Sequence, residues 1–284
     1  MNLPESIKQC FPKRKADSHK GTYGTLLSVC GSYGMAGAAI LAARAAGRCG
    51  TGLVIAALPK SIYPIAAAAL PEVVFAPLED APTAVQLQTL TSHLKKCTAL
   101  LVGCGLGNTP ATAALVEAIL HTAECPVVLD ADGINAAVRH IPILETAHPP
   151  LILTPHPKEL ARLLHGTVSQ VQADRKAAAL TAARRFGATV VLKGHHTVIA
   201  DACGTVTVNE NGNPGMAVAG SGDVLAGMIA GLTAQGLLPQ DAARCGVFLH
   251  GAAGDLAAMR HSQHAMLPTD ILDELGTLFL QLES

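Results

Sequence analysis

Residues 212–227, Gly-Asn-Pro-Gly-Met-Ala-Val-Ala-Gly-Ser-Gly-Asp-Val-Leu-Ala-Gly, place a single carboxylate, Asp223, where a glycine-rich loop runs into an apolar helix. Gly215, Gly220 and Gly222 let the backbone turn its N–H groups toward a ligand at little steric cost, and a helix entrance adds favourable potential for phosphate oxygens. Such a segment can serve as an anion hole. Asp223 is poorly suited to hold the same anion, because two negative groups repel. The chemistry open to it is to accept a proton from a hydroxyl that attacks phosphorus. A plain helix start with an acidic first-turn residue would give the same string, so other parts of the chain must weigh in.

Four further clusters follow apolar runs. Gly31-Ser-Tyr-Gly-Met-Ala-Gly37 is a glycine loop that allows close approach of a substrate. It is not a dinucleotide fingerprint, since the spacing is wrong and the next strand ends in Ala-Leu-Pro with no acidic residue for a ribose. Asp130-Ala-Asp132 sets two carboxylates on one side of an extended chain, where they could hold magnesium through water; alternatively Asp132 caps a helix starting near Gly133. In Thr154-Pro-His156-Pro-Lys-Glu159, two prolines fix the backbone around His156, which makes it a candidate substrate contact. Glu159 either caps the short helix that follows or joins the metal's water shell. Lys193-Gly-His-His-Thr197 joins two apolar strands by a tight turn, and its lysine is a natural seat for a nucleotide phosphate. Side chains of adjacent residues diverge in extended chain, which argues against a metal held by His195 and His196. P-loop, protein-kinase, zinc-protease and Gly-x-Ser-x-Gly signatures are all missing.

The elements that must position these residues are legible from periodicity. Apolar runs rich in β-branched residues recur at 25–30, 53–57, 73–76, 99–102, 127–130, 151–154 and 189–193, followed by 197–200 and 205–208. Helical spacing marks 36–48, 82–94, 111–121, 158–164 and 170–186, then 223–235, 240–259 and 269–282. Alternating strands and helices with nearly continuous apolar strands predict a mostly parallel sheet covered on both faces and completed by about residue 210. Ligands then sit beyond the C-terminal strand ends. No linker, repeat or low-complexity tract divides the 284 residues, which reads as one domain, 1–284. Lys plus Arg number 20 and Asp plus Glu 21, without a basic stripe, so neither nucleic acid nor a membrane surface is an expected partner. Eight scattered cysteines without Cys-x-x-Cys suit a reduced, cytoplasmic setting.

Taken in order, Lys20-Gly-Thr-Tyr-Gly, the Gly31 loop, Gly103-Cys-Gly-Leu-Gly107, Asp130-Ala-Asp132-Gly-Ile-Asn135, Thr154-Pro-His156-Pro, Val191-Leu-Lys193-Gly and Asn213-Pro-Gly-Met-Ala-Val-Ala-Gly-Ser-Gly-Asp223 resemble the ADP-dependent NAD(P)H-hydrate dehydratases. The likeness runs from about residue 15 to 280. It implies a ribokinase-like three-layer α/β sandwich, with a mostly parallel central sheet and helices on both faces. It further implies repair of the S epimer of hydrated NADH or NADPH, with ADP as co-substrate and Mg²⁺ as cofactor, in a homotetramer.

By the same resemblance, Asp223 is the catalytic base. Ala38, Gly105, Gly107, His156 and Asp223 contact the hydrate. Lys193, Gly194, His195, His196, Thr197 and Gly222 bind the nucleotide, Gly220, Ser221 and Gly222 form the anion hole, and Asp132 and Glu159 approach the metal through water. Cys104 in place of a usual proline, Lys158 in place of a glycine, and Ala219 and Ser221 near the base depart from the pattern; altered loop stiffness is expected from them more than altered chemistry. The epimerase segment that some members carry in front is not expected here.

Overall fold

The computed structural model describes residues 3–283; residues 1, 2 and 284, the ends of the expected domain, lie outside the described residues. Nine strands, β1 (Thr25–Val29), β2 (Leu53–Pro59), β3 (Val74–Leu78), β4 (Ala99–Val102), β5 (Val127–Leu129), β6 (Leu151–Leu153), β7 (Thr189–Leu192), β8 (Val198–Ala200) and β9 (Val206–Val208), form one sheet in the order β3-β2-β1-β4-β5-β6-β7-β8-β9. Pairing is parallel from β3 to β7 and antiparallel for β7–β8 and β8–β9. The chain starts at β1, builds outward to β3, then crosses back to β4 on the other side of β1. That reversal makes the β1 and β4 ends the switch point, from which the chain leaves the two strands toward opposite faces of the sheet, the place where such sheets bind ligands.

The helices are α1 (Glu5–Lys8), α2 (Ala36–Arg48), α3 (Tyr63–Ala69), α4 (Thr83–Leu94), α5 (Pro110–Thr122), α6 (Asp132–Val138), α7 (Pro142–Glu145), α8 (Pro157–Leu163), α9 (Val168–Ala173), α10 (Arg175–Phe186), α11 (Ser221–Ala234), α12 (Pro239–Ala265) and α13 (Pro268–Glu283). One sheet face, which buries Leu27, Val29, Leu100 and Val102, is covered by α4 to α10. The opposite face, which buries Leu26, Leu101, Val128 and Val191, carries α2, α3, α11 and α12. Alternate residues of one strand thus face two separate cores, which is why the central strands read as unbroken apolar runs. On the second face α1 and α13 pack outside the first helices as a further core. None of the helices among the described residues is long and apolar enough to cross a membrane.

Helix α11 matters most for the site, and its small residues explain its place. A Cβ on Gly227 would lie 2.2 Å from the Ala42 carbonyl oxygen, and one on Gly231 would lie 2.8 Å from Ala46 Cα. Glycine on α11 against alanine on α2 lets the two backbones approach to a distance that larger side chains forbid. This contact fixes how far the N-terminus of α11 reaches toward the switch point.

Candidate active site

The turns after β1 and β4 are stitched together across the switch point. Gly31 N–H donates to the Cys104 carbonyl at 2.8 Å, and Ser32 Oγ donates to the Gly105 carbonyl at 2.8 Å. A Cβ on Gly105 would stand 2.8 Å from Ala38 Cβ, so the glycine is what lets the β4 turn settle onto the start of α2. Gly105 and Ala38, both expected at the hydrate, are thus in contact, and a Cβ on Gly107 would lie 3.8 Å from Ser32 Oγ of the neighbouring turn. The Gly107 N–H is already engaged, donating to Asp132 Oδ2 at 2.8 Å.

The two carboxylates after β5 do different work. Ala131 between them takes φ 46°, so the chain is not extended there, contrary to the spacing argument. Asp132 does not cap a helix; it braces the β4 turn through Gly107 and accepts from Asn135 Nδ2 at 3.4 Å. Asp130 is 1% exposed and accepts through Oδ1 from Lys193 Nζ at 2.5 Å and Thr154 Oγ1 at 2.7 Å. Its Oδ2 receives the Cys104 thiol at 3.5 Å. Burial works against the charge on Lys193, but Asp130 and Glu159 hold its pKa above the ordinary lysine value, so the ammonium stays charged. Sequence reasoning named Lys193 without its partner; Asp130, its counter-ion, was visible only as half of an Asp-x-Asp doublet.

His156 closes the β6 end. Its Nδ1 accepts from the Lys158 and Glu159 backbone N–H groups at 3.1 and 3.3 Å, while Glu159 Oε2 accepts from the His156 N–H at 2.8 Å, a reciprocal cap for α8. Of the two readings of Glu159, capping is the one realised in the resting protein. Burial, with Lys193 and Arg162 nearby, holds the His156 pKa below the usual histidine value, and its Nε2 lies 3.3 Å from Glu159 Oε1. Burial pushes the Glu159 carboxyl up to about 7.

Asp223 stands in the first turn of α11, behind the N-cap Gly220 at φ 97°. Burial, then the Asp130 charge, push its pKa up to about 6, against the opposing pull of the Cys104 thiol and Lys193. That is the range in which a carboxylate is ionised at neutral pH yet basic enough to take a proton from an alcohol under attack. Beside it opens a cavity of about 580 Å³ lined by Lys193 to Thr197, Ser221, Gly222, Leu225, Val247 and His250. The expected nucleotide residues and the anion-hole residues Ser221 and Gly222 thus face one space. The cavity also reveals His250, which no motif announced: its Nε2 lies 3.3 Å from Ser221 Oγ, and burial lowers its pKa to about 4, leaving it neutral. His196 at φ 54° folds the tight turn so that the two imidazoles stack with centroids 3.8 Å apart, rather than diverging as an extended segment would require.

Residues 26–276 match the family model described as NAD(P)H-hydrate dehydratase. The chain belongs to the NAD(P)H-hydrate dehydratase family. It is 47% identical over 251 residues to an ADP-dependent (S)-NAD(P)H-hydrate dehydratase of Neisseria meningitidis, covering 87% of this chain and 81% of that protein. It is 46% identical over 277 residues to a bifunctional NAD(P)H-hydrate repair enzyme of Moorella thermoacetica, covering 96% of this chain but only 52% of that one; the chain spans about half the length of the bifunctional relative. The crystal structure of the ADP/ATP-dependent NAD(P)H-hydrate dehydratase of Bacillus subtilis, co-crystallised with ATP and Mg²⁺, superposes with a TM-score of 0.85 at 35% identity, covering 98% of this chain and 96% of that one. The architecture of this family member is accordingly ribokinase-like.

Proposed function

We propose that this chain carries out the ADP-dependent dehydration of the S epimer of hydrated NADH and NADPH, returning the reduced cofactor with release of AMP and phosphate. The observation that carries the reading is the position of Asp223: a carboxyl group held at about 6, beside Cys104 and Asp130 at the switch point and next in the chain to Gly222, which lines the cavity with Lys193. Hydroxide is a poor leaving group, so the ring hydroxyl must first be converted to something better. Asp223 takes the hydroxyl proton as the oxygen attacks the terminal phosphorus of ADP, and AMP departs. The lone pair of the ring nitrogen then expels phosphate while a proton leaves the adjacent carbon and the double bond returns.

The remaining residues hold charge and geometry. Lys193, oriented by Asp130, and the Gly220, Ser221 and Gly222 segment at the start of α11 face the phosphates. Gly194, His195, His196 and Thr197 line the nucleotide end. Ala38, Gly105, Gly107 and His156 bound the hydrate. Asp132 and Glu159 supply oxygen donors that are each anchored by a backbone N–H and still keep free lone pairs, a donor set suited to magnesium through water rather than directly. Magnesium bound there with the nucleotide would neutralise phosphate charge. The eight free thiols fit a cytoplasmic setting, and a homotetramer is the assembly we propose.

The decisive assay is incubation of the pure protein with hydrated NADH, ADP and Mg²⁺. Recovery of reduced-nicotinamide absorbance with one phosphate released per cofactor is the expected result. Transfer of phosphate to a stable alcohol product, with no recovery of NADH, would instead make the chain a small-molecule kinase of the same superfamily.

A further inference from the structure

The switch point holds a group of side chains that the reaction above uses only in part. Cys104 Sγ, an Asp130 oxygen and an Asp223 oxygen lie within 4.8 Å of one another. They arrive from three elements: the turn after β4, the end of β5 and the first turn of α11. Cys104 is fully buried, and its thiol is aimed at Asp130 Oδ2 at 3.5 Å. The two oxygens of Asp130 are unequally committed. Oδ1 is taken by Lys193 and Thr154, whereas Oδ2 has only the weak S–H donor. A cation entering past Asp223, the only partly exposed member of the three, would therefore meet an open lone pair on Asp130 without displacing the lysine.

We propose that Cys104, Asp130 and Asp223 form a three-donor site for a thiophilic divalent cation of the zinc and cadmium type, whose binding inhibits the enzyme by occupying Asp223. The step balances without any redox partner. The S–H proton leaves to solvent, a metal–sulfur bond forms, two carboxylate oxygens donate, and the fourth position falls to water. Thiolate, two carboxylates and the Lys193 ammonium sum to two negative charges, which the ion cancels. Zinc–sulfur and zinc–oxygen bonds of about 2.3 and 2.1 Å put tetrahedral donors roughly 3.3 to 3.8 Å apart, so the observed spacing closes by side-chain rotation. Sulfur also sets the selectivity: thiolate favours zinc and cadmium over magnesium, so the ion that accompanies a nucleotide is not the one this site prefers. The metal site itself stands apart from the proposed reaction; only its inhibitory consequence rests on that reading.

Cadmium reports thiolate ligation by its ultraviolet charge-transfer absorption, and it can be titrated into the full chain without nucleotide. Cys97 and Cys125 form a close thiol pair outside the site, 3.5 Å apart, so the background is the Cys97→Ser, Cys125→Ser double variant. That protein should bind cadmium with the absorption band, Cys104→Ser added to it should remove one equivalent of the band, and Asp223→Asn should weaken binding at least tenfold. In the same background Zn²⁺ should inhibit turnover, and Cys104→Ser should raise the half-inhibitory concentration at least tenfold relative to that variant's own uninhibited rate. A band of unchanged intensity and affinity without Cys104 overturns the site. Should Cys104→Ser fail to fold, the Asp223→Asn titration decides, and unchanged affinity there overturns it equally. A Cys104-dependent band with no slowing of an active enzyme overturns the inhibition while leaving the site. Absence of turnover in the metal-free protein would count against the proposed reaction and not against the site.

Discussion

At the scale of single residues the account turns on protons and charge. An acid raised to about 6 must be ionised to accept the hydroxyl proton, so activity should rise with pH through that value and be lost as the medium is acidified below it. The acid limb of kcat/KM measures this where it falls near pH 6, below the Glu159 carboxyl at about 7, and a flat profile there would remove Asp223 from the base role. His250, held at about 4, is neutral at that pH and contributes no limb of its own there. Lys193 serves the fold as well as the phosphate role proposed for it, since it neutralises an aspartate that is 1% exposed. Removing one partner of a buried pair leaves an uncompensated charge, so Lys193→Met should cost about 3–5 kcal/mol of stability by chemical denaturation. Lys193→Met combined with Asp130→Asn should recover part of that loss. These residues were legible in unequal degree. Asp223 and Lys193 announce themselves by ending a glycine loop and an apolar strand, whereas Asp130 and His250 are defined by partners 63 and 29 residues away, which no local pattern records.

At the scale of elements, the precision of the site comes from how closely two helices pack. A methyl group at Gly227 would enter the Ala42 carbonyl at 2.2 Å, so Gly227→Ala should force α11 off α2. Overpacking of this kind costs about 1–3 kcal/mol, and because Asp223 rides on the displaced end, kcat should fall more than stability alone explains. Thermal melts beside single-turnover rates separate the two effects. The long elements were readable because each has a strong period: 36–48 is observed as Ala36–Arg48 and 99–102 as Ala99–Val102. Among the short or interrupted ones 158–164 was read, as Pro157–Leu163, but others were not. The expected helix 170–186 is two helices, because Asp174 leaves helical geometry and caps the second through the Ala177 N–H. Tyr63–Ala69 and Asp132–Val138 are too short for periodicity to declare, and Ala131 at φ 46° reverses the direction of Asp132 in a way composition does not signal.

At the scale of the molecule, the strand order does the organising. Crossing from β3 back to β4 puts the switch point at the β1 and β4 ends, and the antiparallel β7–β8 hairpin brings Lys193 to Thr197 round to wall the cavity beside α11. In the proposed reaction hydrate and nucleotide meet at α11 from two sides, and the parallel sheet behind that arrangement was evident from alternating apolar strands and helices. The placement of the strands within the sheet was not, because hydrophobic patterning fixes faces and not neighbours. Since the nucleotide cavity is already formed in the folded chain, ADP at about one hundred times its Kd should stabilise the protein by roughly 2.7 kcal/mol. A thermal melt should register that as a rise in Tm of several degrees, with no requirement for the hydrate.

The most direct test replaces Asp223 by Asn and follows hydrated NADH in the presence of ADP and Mg²⁺, with ADP binding measured on the same protein. The account predicts that turnover drops on the order of a hundredfold or more while ADP binding is retained. Turnover close to that of the unaltered chain would contradict it.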